Sequence, residues 1–282
     1  NIESYASAVS HTNTLMANNV TNLANSAVGR EDFHALQWLH YANLMLGHYD
    51  RAEENLNMAL KVVEMNPGNN FAHYGYLNIL ARHAIETADC SRVRLSSPDS
   101  SEGKHDALIA AAGMCAAIDR NMETASAAKE RLKGHRIQAE DSGRAYNALQ
   151  IQILEKEVEA MMKLAAGEYD DAVNLAKEAS DIELNNMSTP SGPPMPMKPA
   201  SELYGEILAA AGRFDEAVVA YQRSLDWVPN RTPSIVGLIA AASGSENLIL
   251  AEEMRTKIRS TPGINLDQFS AFLDNSVANN IN

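Results

Sequence analysis

The side chains with the most reactive chemistry in this chain are eight histidines and two cysteines. Five of the histidines, His34, His40, His48, His73 and His83, fall within fifty residues of one another, which raises metal ligation. A helical zinc site shows two histidines four positions apart with a carboxylate at hand. No such pair occurs here, so these rings read as packed or surface groups, and no metal site or cofactor is expected. Met187, Met195 and Met197 flank or occupy a proline-rich stretch. Clustered thioethers can take Cu(I), but Met195-Pro196-Met197 is one short copy and reads as a loop packing methionine on a neighbouring helix. Cys90 and Cys115 lie outside any Cys-x-x-Cys motif and read as small buried hydrophobes; a disulfide between them is left open. Neither a Gly-x-Ser-x-Gly elbow nor a glycine-rich phosphate loop is present. Acidic pairs such as Asp170-Asp171 and Glu252-Glu253 suit helix starts and solvated faces. The chain is therefore read as a non-enzyme.

The elements that would position any site are announced by one motif, Gly-x-aromatic-Asp-x-Ala. It occurs as Gly47-His48-Tyr49-Asp50-Arg51-Ala52, Gly167-Glu168-Tyr169-Asp170-Asp171-Ala172 and Gly212-Arg213-Phe214-Asp215-Glu216-Ala217. Glycine can end one helix in the left-handed conformation. The aromatic can fill the wedge between two helices, the aspartate favours the start of the second, and the alanine lets them cross closely. A repeated helix-turn-helix unit predicts a solenoid.

The best copy, residues 200–230, resembles a tetratricopeptide repeat (TPR) through Gly205, Gly212, Phe214, Ala217, Tyr221, Ser224 and Pro229. Copies at 33–67 and 153–184 keep the same register. Residues 71–97, 105–135 and 233–260 fit weaker units, with turns at Ala88-Asp89-Cys90, Asp119-Arg120-Asn121 and Ser243-Gly244-Ser245. The stretch His34, Ala35, Leu36, Trp38, Leu39, with Pro199, Ala200, Glu202 and Leu203 further on, is similar to an uncharacterised bacterial family of divergent tetratricopeptide proteins. Members usually carry an N-terminal half with more histidine-rich motifs, and that half is missing here. The expected fold is all-α, a right-handed superhelical solenoid of about six units forming one domain over 1–282, with a C-terminal cap and tail at 264–282. Residues 2–18 read as a second helix without its first, so upstream repeats, or another copy of the chain, are expected to cover Tyr5, Val9 and Leu15.

Composition narrows the partners. The net charge is −13, from 23 basic and 36 acidic residues, with no basic stripe for phosphates, so nucleic acid is disfavoured. No stretch approaches the ~20 apolar residues of a membrane span. The compartment is left open between the bacterial cytoplasm and, with a leader removed, the periplasm or exterior.

The resemblance also implies a groove lined by the first helix of each unit. Projected onto this chain, it is lined by His34, Gln37, Trp38 and Tyr41 and then by Asn78 and Arg82. Glu157, Glu202 and Glu206 make an acidic far end. On the first helix His34, Trp38 and Tyr41 share a face, and His40 points elsewhere. The function expected is a non-catalytic interaction scaffold that binds a peptide or protein through this groove or through an open end, self-association included. The alternative is a metal- or small-ligand-binding protein using the histidines of the first half with the missing region.

Overall fold

The computed structural model describes residues 30–65 and 67–270. Among them the chain is all-helical, with eleven α-helices, two short 3-10 turns and no strand. The helices are α1 (Arg30–Met45), α2 (Tyr49–Met65), α3 (Asn70–Thr87), α4 (Asp106–Ile118), α5 (Met122–Asp141), α6 (Ala145–Ala165), α7 (Tyr169–Asn186), α8 (Ala200–Ala210), α9 (Phe214–Trp227), α10 (Thr232–Gly244) and α11 (Leu248–Arg259).

The motif turns close as their chemistry requires. Gly47, Gly167 and Gly212 have φ of 72°, 78° and 74°. At each, the glycine N–H and the next N–H bond back to carbonyls three and five residues earlier, as in His48 N to Asn43 O at 2.9 Å. That double closure satisfies helix-end carbonyls and needs a left-handed residue. The weaker turns use the same device without glycine: Arg120 and Glu246 sit at φ 58° and 60°. Ala52, Ala172 and Ala217 are all fully buried, so the helices do cross closely at the motif alanine. The aspartates act in the first helical turn rather than as side-chain caps; Glu168 and Arg213 precede α7 and α9 and make no capping bond. The aromatic varies in role. The ring of Phe214 lies against Gly244, whereas Tyr169 is about half exposed.

Each helix packs on the next in sequence, and α1, α4 and α8 also contact α3, α6 and α10 two helices on. The unit expected at 71–97 departs from this pattern. Helix α3 ends at a left-handed Ala88, and no second helix follows; only a 3-10 turn, Glu102–Lys104, precedes α4. Residues 96–101 read Ser-Ser-Pro-Asp-Ser-Ser, whose side chains compete for backbone bonds and favour turns over helix. The segment is instead tied down from outside. Arg131 donates to Ser96 O at 2.6 Å, and Cys90 is disulfide-bonded to Cys115 of α4. The two cysteines are therefore a cross-link rather than separate packing groups.

The chain of helices also returns on itself. Asn265 N donates to Leu46 O at 2.8 Å, and His48 Nε2 lies 2.8 Å from Gly263 O. Phe269, on the 3-10 turn Leu266–Phe269, is buried with Ile235, Ile239 and Ile258. The same ring lies so close to Gly47 that a Cβ there would stand 2.8 Å from it. The expected helix at 2–18 and the tail from 271 onward lie outside the described residues.

Candidate functional site

Helices α1 and α3 run side by side and supply one wall of a cleft of about 510 Å³. From α1 come His34, Gln37 and Trp38, one turn apart on a shared face. The imidazole and indole centroids are 5.7 Å apart. From α3 come Tyr74, Asn78 and Arg82, spaced four apart. Tyr146 and Gln150 of α6 extend the lining. The opposite wall is the proline-rich segment, with residues 188–193 facing the two helices. Five of the six residues predicted for the groove thus share one cleft.

The proline-rich segment lies along the cleft, opposite α1 and α3. Its prolines forbid a continuous helix, and it is pinned inward by Arg82. That guanidinium is buried and donates to Met197 O at 2.9 Å and to Pro194 O at 2.6 Å. Met197 is buried in the core shared by α1–α4, as a packing methionine. Gly192 abuts the indole of Trp38, where a Cβ would come within 2.5 Å of the ring. Arg82 is therefore a staple for the chain's own backbone, not a free cation for a partner. Burial pulls its pKa down to about 10, with Glu86 and Tyr41 acting in the other direction.

Tyr41 is placed differently from the expectation. It lies outside the cleft lining, with the Arg82 guanidinium 5.2 Å from its ring centroid. His40, expected to point away, lies against the cleft and is fully buried. Its Nε2 is 3.2 Å from His83 Nδ1, and His83 Nε2 is 3.1 Å from a carboxylate oxygen of Glu53. The 3.2 Å contact joins the two rings, and their tautomers set which of them donates across it. Burial, followed by the charges of His83 and Arg82, holds His40 well below the usual histidine range, hence neutral. Its Nδ1 has no hydrogen-bond partner, and neither has Asn78 Oδ1. Sequence spacing could not find His40, because its importance comes from His83, 43 residues away.

The acidic far end of the expected groove is not an open surface. Glu202 is buried and bonded through two 2.7 Å contacts to Arg231, itself buried. Arg231 also holds Glu86 at 2.8 Å. Burial raises Glu202, but Arg231 outweighs it and the carboxyl ends below the usual range. Glu206 pairs with Lys198 at 2.6 Å. Glu157 is buried, and burial followed by the charge of Glu183 lifts its carboxyl well above the usual range. Glu183 is pushed up to about 7 by burial, against the hydrogen bond that Ala200 N donates to it. Except for Glu206, whose side chain is 38% exposed, these carboxylates are interior groups, and those of Glu86, Glu183 and Glu202 tie α3, α7, α8 and the start of α10 together.

Among the described residues no three histidine, cysteine, aspartate or glutamate side chains gather as a metal site. No described helix is long and apolar enough to cross a membrane. No family model, curated protein or solved structure matches the chain, and the reading of the cleft rests on its own geometry.

Proposed function

We propose that this chain is a tetratricopeptide-like right-handed solenoid acting as a non-catalytic binding protein. Its site is the cleft between α1, α3 and the proline-rich segment. The observation that carries this reading is the double bond from Arg82 to the segment's carbonyls. These two hydrogen bonds set the chain's own backbone against α3 and leave a compact recess beside Trp38. Recesses of this size, with aromatic walls and a few convergent polar groups, are the usual form of small binding sites. The occupant is therefore a compact group, either a small molecule or one projecting element of a partner, rather than an extended peptide laid along successive first helices.

Native mass spectrometry of the chain purified from its source tests this. A retained ligand is expected, lost in Trp38→Ala while helicity by circular dichroism is unchanged. Retention of the same ligand by Trp38→Ala would move the site out of the cleft.

A further inference from the structure

We infer that the cleft takes a neutral, polyhydroxylated ring of monosaccharide size. The inference rests on the cleft being the binding site and names the chemistry that would recognise the ligand.

Charge decides first. Among the described residues no aspartate or glutamate lines the cleft, although the chain carries 36 acidic residues. A cationic ligand would meet no countercharge and would lie near Arg82. An anionic ligand fares no better. Arg82 is the single arginine or lysine of the lining among the described residues, and its Nη1 and Nη2 already donate to Met197 O and Pro194 O. A purely apolar ligand would leave His40 Nδ1 and Asn78 Oδ1 buried without partners, which costs the desolvation of both.

What these two atoms have in common is that neither has a partner within the chain. Asn78 Oδ1 accepts by its chemistry, and His40 Nδ1 donates or accepts according to its tautomer. A site with both selects a ligand rich in hydroxyl groups, which donate and accept alike. The indole of Trp38 lines the cleft besides abutting Gly192, and an aromatic face packs the C–H side of a saturated ring. Gln37 and Gln150 at the lining carry amides that both donate and accept, as hydroxyl groups require. A C–H face, hydroxyl groups and no net charge together describe a hydroxylated ring.

The test is isothermal titration of the full chain with glucose, galactose, N-acetylglucosamine and myo-inositol, with benzoate, benzylamine and toluene as the anionic, cationic and apolar probes. At least one of the four neutral polyols is expected to bind and to shift Trp38 fluorescence. Asn78→Leu, which replaces the acceptor with an isosteric apolar group, is expected to weaken that binding tenfold or more with an unchanged melting midpoint. His40 supplies an independent readout, because its Nδ1 resonance should move on adding the same polyol and should not move with toluene. If none of the four polyols binds, the inference is overturned. If benzoate, benzylamine or toluene binds instead and Trp38→Ala removes it, the cleft remains the site and only its ligand class is wrong. If polyol binding survives both Trp38→Ala and Asn78→Leu, the site itself is misplaced.

Discussion

Arg231 and Glu202 face each other through two parallel bonds of 2.7 Å, and neither side chain reaches solvent. The residues lie on the start of α10 and on α8, and the same guanidinium also takes both oxygens of Glu86 on α3. One cation thus neutralises two interior carboxylates. Replacing it with Met strands both charges, and breaking a buried pair by removing one partner costs ~3–5 kcal/mol. Arg231→Met should lower stability in urea unfolding by that order, and Arg231→Lys should rescue little, because an ammonium cannot match two carboxylates with a planar fork. A loss near zero for Arg231→Met would mean that the cluster is hydrated.

Glu183 gives a pH test whose sign follows from its position. Burial raises its folded pKa to about 7 from 4.5. Below 4.5 the carboxyl is neutral in both states and carries no penalty; as pH rises through 7 the buried group is driven to ionise and stability falls. Glu183→Gln keeps an oxygen for Ala200 N and removes the titration. The stability of the variant minus that of the parent chain should therefore grow between pH 4.5 and 7, by up to about 3 kcal/mol. The difference is the quantity to measure. In the parent chain His40, His83 and His105 are held low by burial, so they lose stability as pH falls below 6.5 and partly mask the slope. A flat difference would show that Glu183 is solvated.

The ring of Tyr221 is clamped between two glycines. A Cβ on Gly205 of α8 would lie 3.0 Å from it, and one on Gly237 of α10 only 2.3 Å. Alanine gains ~1 kcal/mol over glycine within a helix, while overpacking costs ~1–3 kcal/mol. Gly205→Ala should be close to neutral in thermal unfolding, and Gly237→Ala should lower the midpoint. Equal stabilisation by both would place the tyrosine elsewhere.

The bond between Cys90 and Cys115 closes a loop of 25 residues around the one stretch that lacks its second helix. In the chain-entropy model such a closure contributes ~3 kcal/mol. Non-reducing peptide mapping should recover the two cysteines in one linked fragment. Cys90→Ala should destabilise the chain by that order while leaving the parent's helix content intact. Two alkylatable thiols in the oxidised protein would contradict the pairing.

Local chemistry made much of the fold legible in advance. A helix that ends on a left-handed residue leaves a recognisable glycine, and an alanine three positions into the next helix marks where two backbones approach; Gly47 with Ala52 and Gly212 with Ala217 show both. Helical periodicity put His34 and Trp38 on one face; that Gln37, Asn78 and Arg82 line the same groove was implied by the resemblance to a tetratricopeptide repeat. The local reading failed at 91–97, where a plausible turn was followed by residues too polar and turn-prone to pack a second helix.

By itself, then, the amino-acid sequence determined the helices, their turns and the faces they present, all of which depend on neighbours within a few residues. Tertiary structure alone decided what fills those faces. Arg82 is spent on carbonyls 112 and 115 residues away, Arg231 on carboxylates 29 and 145 residues away, and His40 finds its ring partner in His83, 43 residues away. A charged or titratable side chain takes its state from whichever group burial places against it, and that group is chosen by the packing of distant helices.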